Sequence, residues 1–504
     1  MSSTADFSAK SVPPAIAEYL FVFAQAHEEF RIPELLSVAE LYDIHITFPD
    51  DPERLDTSRP FMVFGLEKEE HARMLASRCI LIKSVHEFYA SGKTYEEVHE
   101  RTRQRSALWE KYIPDTSFKF RVDGYNHSIP QKRQTAIVES FSFMAFEGKI
   151  EMKNPEITMC VFEEYPYKRG VTRHKHEGDG RFLEVYFGRL VAEGTARRLI
   201  QTFDVKKRSY YGNTSMEAEI SLLMANQTLA SPGKLVYDPF IGTGSMAYTT
   251  AHFGAYVYGS DIDGRQMRGK AQVPGIRRAA AQYGVLDHIL DLCTFDVTQN
   301  PWRCGELFDA IITDPPYGVR AGAKRLGRKK DTGRPIQPHM ANRPDDQPYI
   351  PPMKPYELSV LAVDLVLFAR YMLKPGGRLV FFLPTVTDEY AELDVQAMLC
   401  DGMELVANSL QDFGSWGRRL ITIRKVTTEK FPPHTFDPDA RARELASAHT
   451  PAHRDFRKKY FQGFKKDTPG EPSHPWSQLP WISAGFAALA LTLGLYIVRK
   501  HSRT

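Results

Sequence analysis

From Leu235 to Arg424 short apolar runs alternate with helix-length segments, and this spacing leaves few folds open to the chain. The runs are Leu235–Tyr237, Tyr256–Ser260, Leu292–Phe295, Phe308–Ile312, Arg378–Leu383 and Leu420–Arg424. Apolar strands separated by helices assemble into a mostly parallel sheet, because each crossover carries a helix onto one of its faces. Lys374-Pro375-Gly376-Gly377 punctuates the chain just ahead of the fifth run. A Rossmann-like, doubly wound α/β domain is therefore expected over residues 206–430.

With 504 residues the chain exceeds one ordinary core, so further structure is expected upstream. Leu20–Ala24, Phe61–Phe64, Ser117–Val122, Ile157–Phe162 and Phe182–Leu190 read as strands, and Ile32–Tyr42 has the spacing of an amphipathic helix. Residues 1–205 thus form an α+β region. A net charge of +3 does not by itself mark a nucleic-acid binder, so local clustering has to carry that reading. Arg197, Arg198, Lys206, Lys207 and Arg208 make a basic hinge. Residues 318–355 interrupt the alternation: seven Lys/Arg against the single acid Asp331 in Gly318–Arg334, then seven prolines in Pro335–Pro355. This composition predicts a basic loop without helix or strand. Phe118, Phe120 and Arg121 also offer a strand whose basic side would face RNA.

The chemistry gathers at the ends of the predicted strands. Leu235–Tyr237 runs into Asp238-Pro239-Phe240-Ile241-Gly242-Thr243-Gly244-Ser245, ahead of a helical Met246–His252. Gly242 and Gly244 let backbone approach a nucleotide-like ligand at a helix N-terminus. Asp261, 23 residues after Asp238, closes the second strand where an acid binds ribose hydroxyls, or caps the following helix. A dinucleotide remains open on these residues, since Gly242 to Ala247 also fits a GxGxxA form. Asp238 favours another ligand: its carboxylate would repel a pyrophosphate but accept from an ammonium, which S-adenosylmethionine carries. Asp296 after the third strand is placed to accept the adenine amino group, or to cap a turn.

Asp314-Pro315-Pro316-Tyr317 follows the fourth strand. The Asp314 carboxylate and the Pro315 carbonyl are two acceptors for one NH2 group, fixing its rotation and aiming its lone pair at a methyl donor. Pro315 and Pro316 stiffen the segment, and Pro315 brings no competing N–H. Tyr317 offers a ring for an extruded base. The expected activity is methylation of an exocyclic amine. Adenine in DNA and a protein amide are acceptors that these residues permit, and a non-catalytic RNA-binding scaffold is the rival of a different class.

Four stretches carry a family resemblance: Gly212–Glu219, Val236–Gly244, His252–Asp263 and Thr313–Arg320. The chain resembles the catalytic subunit of the eukaryotic tRNA guanosine N2-methyltransferases that modify the tenth nucleotide. The likeness is close from about Lys206 to Val426 and looser before. It implies a class I methyltransferase fold behind an N-terminal THUMP-containing RNA-binding region, with S-adenosylmethionine as cofactor and tRNA as substrate. It also implies that Asp238, Gly242 and Gly244 form the cofactor loop, that Asp261 is the ribose acid, that Asp314 through Tyr317 are the catalytic tetrad, and that Thr214 and Ser215 lie near the cofactor. A small zinc-binding activator protein is the implied partner.

Five scattered cysteines without a CxxC pair fit reduced thiols and no zinc ribbon. The segment up to Pro14 has no signal-peptide pattern, so a cytoplasmic location is expected. His174 and His176 have an H-x-H spacing in a loop whose composition argues against a ligand set, and no metal site is expected. Residues 431–480 read as a polar linker. Residues 481–498, Trp481 to Val498, carry no charge, are apolar all round, and end in Arg499-Lys500-His501. As a helix they would span about 27 Å, near a ~30 Å hydrocarbon core. That reads as a C-terminal membrane anchor with the catalytic region facing the cytosol.

Overall fold

Alternate residues of the first strand point into different cores, and this sets the architecture of the N-terminal half. Tyr19, Phe21 and Phe23 join one buried cluster while Leu20 and Val22 join another, so both faces of their sheet are covered. The structure is a computed structural model that describes residues 16–49, 55–166, 181–269, 275–319, 322–327, 352–437, 439, 441 and 451–464. The first sheet holds β1 (Ala17–Phe23), β2 (Phe61–Leu66), β3 (Ile82–Gly92), β4 (Phe118–Tyr125), β5 (Ile157–Glu164) and β6 (Glu184–Glu193). Their order is β2-β1-β3-β6-β5-β4, antiparallel except for β4 beside β5. Phe118 and Phe120 on β4 pack in an aromatic cluster with Phe146. Arg121 pairs with Asp123 at 2.9 Å and Glu193 at 2.8 Å. The expectation that this strand shows a basic side to RNA is corrected: its cation is neutralised within the sheet and its rings serve the core.

The second sheet contains β7 (Leu235–Asp238), β8 (Tyr256–Asp261), β9 (Ile289–Thr294) and β10 (Phe308–Thr313). The short pair β11 (Lys324–Leu326) and β12 (Met353–Pro355) follows, and then β13 (Leu373–Val386), β14 (Met403–Asp412) and β15 (Trp416–Lys425). The sheet order is β14-β15-β13-β10-β7-β8-β9. Neighbours from β13 to β9 run parallel, and β15 is antiparallel to both β13 and β14. This is the doubly wound α/β sheet that the alternation predicts. Chain order reverses between β7 and β10, and ligands of such sheets bind outside the carboxyl ends of the strands at that reversal.

Three segments depart from expectation. The 318–355 loop is not wholly irregular: its two ends pair as β11 and β12, and Arg325 and Lys354 of that stem meet Asp439 at 2.7 and 3.5 Å. Pairing across the stem satisfies backbone groups that composition alone leaves open. Nor is the stretch from 431 wholly linker. Ala452, His453 and Phe456 are buried, Phe456 and Tyr460 pack on Trp416, and a short helix runs over Phe456–Phe461. The expected anchor at Trp481–Val498 and the pair His174/His176 lie outside the described residues. Among the described residues no helix is long and apolar enough to cross a membrane, and no group of three or more His, Cys, Asp or Glu is placed to hold a metal.

No open hinge separates the two sheets. The helix Arg31–Leu41 packs on the helix Ala218–Gln227, and Leu35, Val38, Leu222 and Leu223 are fully buried in one shared cluster. Each such side chain contributes about 1.5–3 kcal/mol by burial. Polar ties cross the same joint. Glu34 accepts from Ile80 N (2.7 Å), Leu81 N (2.9 Å) and Asn226 Nδ2 (2.7 Å), while Arg78 donates to Asn226 Oδ1 and the Ala230 carbonyl, both at 2.7 Å. Arg378 of β13 reaches Ser37 at 2.9 Å and Glu40 at 2.6 Å.

Candidate active site

β7 ends on Asp238, and the next residues turn sharply into the helix Ser245–His252. Gly242 and Gly244 both take the left-handed conformation, at φ +53° and +83°, which disfavours any side chain. A Cβ on Gly244 would also lie 2.9 Å from the Tyr248 hydroxyl. The turn Gly212–Ser215 lies against this loop: Ser215 Oγ takes a hydrogen bond from Gly212 N (2.9 Å) and shares one with Thr243 Oγ1 (2.7 Å), with Thr214 exposed on the same turn. Arg208 anchors the loop from below, donating to Ser245 Oγ at 2.8 Å, and Met216 N donates to the same oxygen at 3.0 Å.

Asp238 is fully buried. Its Oδ1 accepts from Phe240 N (3.0 Å) and Thr313 Oγ1 (2.9 Å), while Oδ2, equally buried, has no partner. Burial pushes this carboxyl up to about 8, and the nearby Asp261 and Asp314 push the same way. A buried acceptor left open beside a glycine turn fits the ammonium group of S-adenosylmethionine, the cofactor of class I methyltransferases. Asp261 closes β8 and accepts from Gly242 N (3.0 Å) and Asp263 N (2.8 Å), so it also shapes the glycine turn. Burial raises it to about 6. The cap of the helix after β8 is Asp263, not Asp261. Asp296 is committed within the protein: it accepts from Thr298 N at 2.9 Å and Leu326 N at 2.5 Å, capping its turn and holding β11.

Asp314 to Tyr317 leave the end of β10 directly beside this pocket, since the last β10 residue, Thr313, is the one bonded to Asp238. Pro315 is buried, and Asp314, Pro316 and Tyr317 are half-buried. The Tyr317 hydroxyl donates to Asp314 Oδ1. Burial raises the Asp314 carboxyl and the nearby Arg418 pulls it back down. The structure thus brings ten of the eleven sequence-picked residues to the carboxyl ends of β7, β8 and β10 and the turn beside them, with Asp296 following the adjacent β9.

Three further residues border the tetrad. Arg418 of β15 donates from Nε to Gln411 Oε1 (2.6 Å) and from Nη2 to Glu217 Oε1 (3.0 Å), and it faces Asp314 and Tyr317. Glu217 belongs to a motif picked out in the sequence, yet nothing there gave it a task. Arg418 falls outside the expected strand Leu420–Arg424, because β15 begins four residues earlier, at Trp416. From the Phe456–Phe461 helix, Arg457 lies over the loop itself: a Cβ on Gly318 would come within 3.1 Å of Arg457 Cβ.

Comparison with known proteins agrees with this geometry. Residues 17–196 match the model of the Tmrp11 THUMP N-terminal domain, and residues 206–330 match the RMKL-like methyltransferase domain. The tRNA (guanine(10)-N(2))-methyltransferase of Schizosaccharomyces pombe is 35% identical, over 88% of this chain and 96% of its own. The human enzyme of that name, TRMT11, is 35% identical, with 89% and 96% covered. The Saccharomyces cerevisiae enzyme is 37% identical, with 80% and 92% covered. With both domain models matched and full-length relatives above one-third identity, the chain belongs to the tRNA (guanine(10)-N(2))-methyltransferase family.

Proposed function

We propose that this protein methylates the exocyclic N2 amino group of a guanosine in tRNA, at the tenth nucleotide, using S-adenosylmethionine. The observation that carries the reading is the juxtaposition of Asp314 with the open acceptor Asp238 Oδ2 where β7 and β10 part. Bound S-adenosylmethionine supplies an activated methyl group on a sulfonium, so the protein contributes mainly orientation. Asp238 would hold the ammonium, the Gly242–Gly244 turn would lie along the nucleoside, and Asp261 would bind ribose hydroxyls. Thr214, Ser215 and Asp296 border the same pocket. Asp314 accepts an N–H of the target amine and takes its proton late, with the Pro315 carbonyl as the second acceptor. Residues before Arg208 and the basic 318–355 loop neutralise tRNA phosphates.

The same reading includes a small zinc-binding activator subunit, on family grounds, and a cytosolic catalytic unit. All five cysteines are free thiols, which supports a reducing compartment. The reading also includes a tail anchor at Trp481–Val498, for which the uncharged, all-round apolar run speaks. Carbonate extraction decides it: a full chain that washes off membranes as readily as one truncated at Leu479 rules the anchor out.

Mass spectrometry of tRNA tests the function. Cells lacking the protein are expected to lose N2-methylguanosine at position ten and to regain it with the wild-type gene but not with Asp314→Ala. Persistence of the mark overturns the proposal, and loss of a methyl group from adenine redirects it to that base.

A further inference from the structure

Arg418 is the most tightly held cation bordering the tetrad. Besides its bonds to Gln411 and Glu217, its guanidinium stacks 4.4 Å from the centre of the Phe382 ring. Gln411 Nε2 donates to the same Glu217 oxygen at 2.9 Å, so the two acceptors of Arg418 are themselves tied together. The Arg418 side chain keeps only 13% of its exposure. A guanidinium fork fixed on two acceptors and a ring has little rotamer freedom left. Its remaining donors reach the Tyr317 hydroxyl. A phenol has one proton, and Tyr317 gives it to Asp314 Oδ1. The chain of bonds therefore has one direction, from Arg418 through Tyr317 to Asp314.

We propose that Arg418, set by Glu217 and Gln411, is a positioning residue for methyl transfer: through the Tyr317 hydroxyl it aims the Asp314 carboxylate at the substrate amine. The inference rests on the reading of Asp314 as the amine acceptor. With Oδ1 committed to Tyr317, Oδ2 is the oxygen left for the amine. The cation also favours the ionised acid, which accepts from an N–H, over the neutral acid, which would donate to it. The other groups facing Asp314 are Glu217 ahead of the Ala218–Gln227 helix, Asp238 at the end of β7 and Tyr317 on its own loop, while Arg457 covers that loop from the Phe456–Phe461 helix. Burial and the two acids oppose ionisation, and Arg418 is the cation among the described residues that counters them.

The test is single-turnover methylation of unmodified tRNA from pH 5.5 to 9 by the full-length protein, together with any subunit that copurifies. It compares wild type, Arg418→Lys, Arg418→Met and Glu217→Gln, with S-adenosylhomocysteine affinity measured alongside. Arg418→Met is expected to slow transfer by about 100-fold at neutral pH, the low end for losing an aligned acid–base group. KM for tRNA and cofactor affinity should stay within a few-fold, and the acid limb of the rate profile should move up by roughly one pH unit. Arg418→Lys restores the charge but not the fork, so the limb returns while the rate stays low. Glu217→Gln keeps its shape at a half-exposed position and is expected to lose about tenfold, the low end for a hydrogen bond to a charged group, so the inference stays testable if Arg418→Met does not fold. A wild-type enzyme inert on tRNA overturns the functional reading and this inference with it. An active wild type with an Arg418→Met rate and pH profile unchanged, or changed only in KM, overturns this inference alone and makes Arg418 a packing or RNA contact.

Discussion

Two buried carboxylates, Glu34 at the joint between the sheets and Asp238 at the end of β7, are finished in opposite ways. Glu34 uses both oxygens on three donors, all from the protein. Asp238 satisfies one oxygen twice and leaves the other buried and bare. Burial raises both acids, Glu34 to about 7 and Asp238 to about 8, so depth does not tell them apart. What separates a structural polar cluster from a binding site here is the unfilled acceptor. The Glu34 shell closes on protein donors and ties one sheet to the other, whereas Asp238 carries an incomplete shell that a cationic ligand can complete.

Mutations should divide along this line. The largest effect is expected from Asp314→Ala, which removes the amine acceptor without touching the cofactor pocket. Transfer should fall by roughly 10²–10⁴-fold in single-turnover assays while S-adenosylhomocysteine affinity changes by no more than a few-fold; equal losses would assign Asp314 to the cofactor instead. At the joint, Asn226→Ala leaves Glu34 short of a donor and Arg78 short of an acceptor. Each orphaned buried group costs about 1–3 kcal/mol, to be read from urea denaturation. The rate per folded molecule should stay near wild type, and a lost rate at full stability would break the comparison. Asp261→Ala should weaken cofactor binding by about 1.5–3 kcal/mol, measured by calorimetry, with the glycine turn loosened through the lost Gly242 bond. Unchanged affinity would reduce Asp261 to a turn-shaping role.

The half of the molecule with a clean period was the half most legible in the sequence. The expected strand Leu235–Tyr237 lies within one residue of β7, and Asp314-Pro315-Pro316-Tyr317 stands where the fourth strand ends. Glycine turns and strand-end acids are local signals, fixed by backbone conformation, so one sequence carries them. β3 passed unnoticed because residues on both its faces are buried and its apolar pattern does not alternate. β14 passed because it is a partly exposed edge strand with mixed polarity. The packing of Phe456 on Trp416, in a stretch that composition marks as linker, depends on a partner forty residues away in sequence. The task of Arg418 is likewise defined across the sheet, by Glu217 and Tyr317, and no spacing along the chain encodes that meeting.

Proton release on cofactor binding tests the comparison most directly. In the free protein Asp238 has a raised carboxyl, so it is mostly protonated at pH 7 and ionises only as pH passes about 8. An ammonium partner favours the ionised form, so binding should expel this proton, and affinity should weaken as pH falls below about 8, by up to roughly tenfold per unit. Titrating S-adenosylhomocysteine into the full-length protein at pH 7 in two buffers of different ionisation enthalpy measures the release. Close to one proton is expected from wild type and none from Asp238→Asn, with Asn226→Ala releasing as wild type does. Binding of wild type with no proton released would contradict the claim that Asp238 is the open acceptor of this site.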